Sequence, residues 1–420
     1  MNLSHLLSSS LAPVQETLIS YLGPNEFATL AEVSTGVGTA LSGGLPSCYQ
    51  NIETKLKTFF GDPKAFRQVQ ANTGAIIGGD FARKFIANEL QTPVQELYIY
   101  TQYSEVKPLD LRTPINDFME QERWVADEYN KTGLAIFRKP QAEYDGLTIC
   151  VLDSMDSPLL KLLNAASSTA TLNFITSNRA YSLFPRTTFI DKECYVLQNL
   201  AANKAAGMVK QHGDCLRGLT CDGIQTRLLH WDDKHTNLIT RPRRVGDKYT
   251  YIIELDAAGI DCSIVAIPQT VVECSTFKIK LWRWNSRDDH EGPVSRYTMS
   301  VIGVDSAVLK RSYVVLREDQ KDEYEPDHPA PSRLYQKTIH LVCQIRALTI
   351  LELSKLPESD RPIEYNNIMD PRTRETFEWK STKVPETWSY YDDDFMKQLG
   401  KLWREHERDE MEKGDDRTSQ

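Results

Sequence analysis

Apolar residues recur at two different periods along this chain, and the change of period divides it. Near the N-terminus Val14, Leu18, Ile19 and Leu22, then Phe27, Leu30, Val33 and Val37, follow a helical spacing. Gly23, Pro24 and Asn25 separate two short amphipathic helices, and Asn25 is placed to cap the second. Gly36, Gly38, Gly43 and Gly44 weaken the next stretch as helix. From about residue 61 short apolar runs alternate with helical patterns. Helix is expected at Ala65 to Val69, Phe81 to Leu90, Asp110 to Tyr129 and Pro158 to Ala165. Strand is expected at Val94 to Tyr100, Leu147 to Leu152 and Ala170 to Ile175, and Ala75 to Ile77 is a short apolar run ending in Gly78 and Gly79. Strand, helix, strand is the order of a layered α/β core. Beyond residue 241 the period shortens toward two, with strands expected at Tyr249 to Leu255, Cys262 to Ile267, Thr276 to Trp284 and Tyr297 to Val304. Arg317 to Pro331 is acidic and carries prolines, which reads as a linker. Arg333 to Leu353 returns to helical spacing, and Asp392 to Gln420 reads as a charged helix running into a disordered tail.

The expected fold class is therefore α+β. A helical segment (1–60) precedes a mixed α/β core (61–240) and a β-rich extension (241–316). A linker, helix and strap (317–391) and a charged helix (392–420) follow. The strap is assigned to Trp379, Trp388, Tyr390 and Tyr391, before Asp392, Asp393 and Asp394.

Composition changes the picture only by exclusion. The net charge of −9 runs against a duplex-DNA reader, which needs a phosphate-neutralising surface. Arg241, Arg243, Arg244 and Lys248 form a local basic cluster, expected to be a solvated loop. No run of about 18 apolar residues occurs, so no membrane span is expected. Met1 to Pro13 does not read as a signal peptide. The 8 Cys are irregularly spaced and include no C-x-x-C pair, which suits reduced thiols in the cytoplasm or nucleus. His212, Cys215, Cys221, His230 and His235 lie close together but lack the paired spacing of a zinc site. Trp282, Arg283 and Trp284 are expected on a half-buried strand. No G-x-S-x-G elbow and no P-loop occur.

The sharpest local chemistry is Gly78-Gly79-Asp80 at the start of a helix, followed by Glu96 on a strand. Glycines at a helix N-terminus let backbone N–H groups approach a triphosphate. Carboxylates at i and i+2 share one strand face and hold metal ions. The run Thr73 to Phe85 carries this turn. With Glu96 to Ile99, Ser157 to Leu159, Ser168-Thr169, Leu172 to Thr176, Ala180 to Pro185, Thr188-Phe189, Lys210 and Arg217-Gly218, it resembles fungal proteins with a degenerate nucleotidyltransferase-like domain of the polymerase-beta type. The likeness covers about residues 60 to 220. It implies Glu96 at the second carboxylate position and Val94 at the first, and valine offers no oxygen to a hard cation. The expected reading is a retained fold without catalysis. The enzymatic alternative is a divergent nucleotidyltransferase with Mg2+ and a nucleoside triphosphate, using Glu96, Asp80 and Asp153. A third reading is a module that binds a nucleotide at Gly78-Gly79 without turning it over.

Leu11 to Ser34 resembles an F-box, with Pro13, Val14, Leu18, Leu22, Pro24, Leu30 and Val33 in its order. That resemblance implies docking on a Skp-type adaptor and a place in a cullin–RING ubiquitin ligase, with Val14, Leu18, Leu22, Pro24, Leu30 and Val33 as the partner-binding residues. The alternative is a helical cap on the α/β core.

Overall fold

Side-chain caps and prolines set where most of the helices begin in the computed structural model. It describes residues 51–89, 94–103, 113–129, 134–139, 146–197, 224–227, 239–261, 265–284, 294–318, 332–361, 365 and 384–418. Asn51 caps α1 (Ile52–Leu56) and Asp62 caps α2 (Pro63–Thr73). A short strand β1 (Ile76–Gly78) runs directly into α3 (Gly79–Ile86). After β2 (Glu96–Gln102), Thr113 caps α4 (Pro114–Gln121). The strands β3 (Val125–Tyr129), β4 (Leu134–Arg138) and β5 (Thr148–Ser154) follow. Ser157 then caps α5 (Pro158–Ala165). Three of these helices carry Pro at the first turn behind an oxygen-bearing cap, where its missing N–H costs nothing.

The second half is mostly strand. It contains β6 (Asn173–Ile175), β7 (Arg179–Ser182), β8 (Glu193–Tyr195), β9 (Gln225–Arg227), β10 (Arg243–Arg244) and β11 (Tyr251–Glu254). Next come α6 (Gln269–Cys274), β12 (Thr276–Trp284), β13 (Val294–Val304) and β14 (Tyr313–Leu316). Two longer helices close the chain, α7 (Arg333–Ser354) and α8 (Asp392–Thr418).

The main sheet has eight strands in the order β11-β7-β6-β1-β2-β5-β4-β3. Only β2 and β5 in it run parallel; the other described pairs are antiparallel. Strand alternation gives it two apolar faces. Ile77, Leu97, Ile99, Ile149, Val151 and Ile175 face one core with Phe66 of α2, Phe81 and Phe85 of α3 and Phe118 of α4. Ile76, Tyr100, Phe174 and Tyr181 face the other, beneath α5. A second sheet, β10-β12-β13-β14, packs on that side through Phe277, Ile279, Val301 and Val314. Its far face meets α7 and α8 through Val304, Tyr313, Val315, Ile345, Phe395 and Leu399. The order of layers is thus helices, eight-stranded sheet, α5 with the four-stranded sheet, and the C-terminal helix pair. No helix among the described residues is long and apolar enough to cross a membrane.

The mixed α+β class agrees with the sequence reading, and several elements differ from it. The helix expected over Asp110 to Tyr129 is helical only at Pro114–Gln121, and residues 110–112 lie outside the described residues. Arg123 takes a φ of 62° and ends it, Trp124 is buried, and Val125–Tyr129 pairs with β4. The strand at Ala170 to Ile175 is shortened because Thr169–Thr171 forms a 3-10 turn. Thr171 ties it down, accepting from Ser168 N and donating to Ser168 O. Of Cys262 to Ile267, only residues 265–267 are described, and they form no strand. Ala266 N there donates to Ala71 O. β11, from the stretch read as a β-rich extension, pairs with β7 and so lies at one edge of the main sheet. The helical segment at 1–50 and most of the linker lie outside the described residues.

The basic cluster is not a solvated loop. Arg243 is 2% exposed and makes a two-pronged ion pair with Asp247, at 2.5 and 2.9 Å. It also donates to Leu183 O, and its guanidinium lies 5.1 to 5.8 Å from the rings of Phe184, Tyr249 and Phe277. Arg241 stacks on Tyr249 at 3.7 Å. A planar cation among aromatic faces can be buried where a lysine could not. Trp388 and Tyr391 do strap the core. Trp388 Nε1 donates to Ala307 O, Tyr391 N donates to Val308 O, and Tyr390 stays exposed.

Candidate functional site

The turn between β1 and α3 is where the sequence left two readings open, a phosphate cradle and an ordinary tight turn. Gly79 has a φ of 70°, a left-handed conformation that favours glycine. A β-carbon there would lie 3.0 Å from Tyr98 Cδ2, and one at Gly78 would lie 2.7 Å from Tyr100 Cε2. β1 pairs antiparallel with β2, so Tyr98 and Tyr100 project beside this turn. The glycines therefore have a local structural cause: two tyrosine rings occupy the space over them. Asp80, at the start of α3, is turned onto its own helix. It pairs with Arg83 at 2.7 Å and with Lys84 at 3.1 Å.

Glu96 opens β2 and is exposed, accepting from Tyr98 Oη at 3.1 Å. Burial, with the Glu96 charge beside it, pushes the Tyr98 phenol up, so Tyr98 stays a neutral donor. Val94, two residues before Glu96, is 8% exposed and packs in the first apolar core. On the parallel neighbour β5, Thr148 is level with Glu96 and Cys150 with Tyr98. Burial pushes the Cys150 thiol up to about 11, so it stays protonated near neutral pH. Neither neighbour is an acid.

Asp153 is not part of this arrangement. It is level with Thr101, five residues beyond the level of Glu96, or about 17 Å along the strands. It also shares its face with Ile149 and Val151, whereas Glu96 shares the opposite face with Tyr98 and Tyr100. The sheet itself separates the two carboxyls. Glu96, Asp80 and Asp153 thus do not converge, and a divalent ion needs its oxygens within about 2.6 Å. The residues present do not fit an Mg2+ site. Among the described residues, no group of three or more His, Cys, Asp and Glu could hold a metal ion.

Asp153 has a different environment, one the sequence reading missed. It is 2% exposed, and Thr101 beside it is 1% exposed. Among the described residues neither Asp153 oxygen, nor Thr101 Oγ1, has a well-formed hydrogen bond. Burial pushes the Asp153 carboxyl up to about 6, while the side chain of Asn116 on α4 acts the other way. The only signal in the sequence was a lone acid ending an apolar strand.

The partner-binding candidates Val14, Leu18, Leu22, Pro24, Leu30 and Val33 lie outside the described residues. So do His212, Cys215, Cys221, His230, His235, Lys210, Arg217 and Gly218. Trp282, Arg283 and Trp284 do lie on β12, paired with residues 294–296 of β13.

No family model, curated protein or solved structure matches this chain. The case for any activity therefore rests on the residues themselves.

Proposed function

We propose that this chain works by binding other proteins and not by transferring nucleotides. The observation that carries the proposal is the surroundings of Glu96. Its level on β5 is occupied by Thr148, Val94 is packed in the core, and Asp153 lies on the opposite face of the sheet. A two-metal phosphoryl or nucleotidyl transfer needs clustered carboxylates to hold both ions. A single exposed glutamate hydrogen-bonded to a tyrosine does not provide that cluster. The tyrosine rings over Gly78 and Gly79 also count against a nucleotide held there without turnover.

Within this reading the chain is a degenerate nucleotidyltransferase-like protein with an F-box-like N-terminus. The apolar positions Val14, Leu18, Leu22, Leu30 and Val33, with Pro24, dock on a Skp-type adaptor. The remainder then presents a protein target to a cullin–RING ubiquitin ligase. Support for this part comes from the sequence resemblance at Leu11 to Ser34 alone. The test is co-purification of the full chain with a fungal Skp-type adaptor, compared with the Leu18→Ala, Leu22→Ala double variant. Association lost in the variant is the expected result. No association with either protein removes the adaptor role and leaves the binding function to be sought elsewhere in the chain.

A further inference from the structure

We propose that Asp153 is a proton-operated latch that holds α4 against the carboxyl ends of β2 and β5. Asp153 lies one residue before the end of β5, in the one parallel pair among the described strands of the main sheet, on the face covered by α2, α3 and α4. Its register neighbour, Thr101, is equally buried. α4 supplies Asn116 beside the carboxyl and anchors nearby through Ile115, Phe118 and Met119. Trp124, 2% exposed, follows the helix in the same core.

The physical argument is one of unpaired charge. A carboxylate in an apolar layer costs free energy unless a cation or several donors meet it. The described charged groups on the helices covering this face are Lys64 and Arg67 on α2, Asp80, Arg83 and Lys84 on α3, and Asp117 and Glu120 on α4, with Asp156 after β5. Arg67 is paired with Glu53, and Arg83 and Lys84 with Asp80, and no described charge acts on the Asp153 carboxyl. Thr101 and Asn116 are neutral. A proton on Asp153 removes the charge and gives the site an O–H donor, so the closed packing favours the acid form. Opening α4 gives the carboxylate water. The closed form therefore binds the proton more tightly than the open one. Raising the pH from about 4 to about 6 shifts the balance toward opening, and above that range the effect is complete.

Hydrogen exchange of the α4 amides in the full chain, corrected for intrinsic rates, reads this balance directly. Wild-type protection should fall by about 100-fold between pH 4 and pH 7, following the displacement of the carboxyl from 3.8 to about 6. Asp153→Asn, neutral at every pH and of the same shape, should show no such fall in α4. Carbon-13 NMR of the Asp153 carboxyl in the unmodified chain gives a second reading that needs no variant. A midpoint near 6 supports the latch. A midpoint at or below 4 overturns it, as does wild-type protection that does not change with pH or a variant that keeps the fall.

Discussion

Gly79 and Asp153 show how single residues carry costs that composition does not reveal. At Gly79 a β-carbon would have to adopt a left-handed conformation and press on Tyr98. Gly79→Ala is therefore expected to destabilise the fold by about 1–3 kcal/mol, read as a lower urea midpoint. Asp153 acts in the opposite sense. Its carboxyl is raised from 3.8 in the unfolded chain to about 6 when folded, so the folded state holds the extra proton between those values. The contribution of this group to stability is greatest near pH 4, declines up to about pH 6, and then stays constant. At pH 7 Asp153→Asn should raise stability by about 1–3 kcal/mol, and at pH 4 it should change little. Equal effects at both pH values would count against the buried, unpaired carboxylate. The buried pair of Arg243 and Asp247 has its own signature. Arg243→Met removes the cation from a buried carboxylate that still accepts from Arg244 N, Tyr249 N and Thr250 Oγ1, and should cost about 3 kcal/mol, read as a lower urea midpoint.

At the scale of elements, the starts at Pro158 and Arg333 agree with the sequence pattern, those expected at Ala65 and Asp110 fall at Pro63 and Pro114, and strand partners were not legible. Asp62, Thr113, Ser157 and Ser332 each precede a helix whose first-turn N–H groups they accept from. Such caps are local, so a sequence displays them. The sequence pattern extends a helix over β3 and assigns no element to β4, because both strands are short and Arg123 carries the break. Only the pairing of β4 with β5 reveals the hairpin. The C-terminal helix α8 is fixed at its start by Asp392. That carboxylate accepts from Lys310 N at 2.8 Å, Arg311 N at 3.1 Å and Tyr313 Oη at 2.8 Å. Asp392→Ala leaves three donors unanswered and should cost about 2–3 kcal/mol. The loss should fall first on α8, seen as faster amide exchange there than in the main sheet.

Taken as a whole molecule, the four layers decide which chemistry is open to the chain. The face bearing Glu96, Tyr98 and Tyr100 is the one covered by α5 and the second sheet. Calorimetric titration of the full chain with ATP, GTP, CTP and UTP, with and without Mg2+, is expected to show no magnesium-dependent binding. Binding that Glu96→Gln abolishes would reinstate the enzymatic reading.

The sequence by itself determined the local features: helix caps, the Gly-Gly turn, the apolar periods and an apolar Val94 two residues before Glu96. These depend on residues within a turn or a strand of one another. Only the tertiary structure decided which face each acid occupies and what fills the space over the glycines. The level of Asp153 relative to Glu96 is set by the parallel register of two strands about fifty residues apart in sequence. The burial of Arg243 depends on rings from β12 and the chain after β7. Side-chain period says which residues share a face within one strand, but register between distant strands is fixed by packing across the whole sheet.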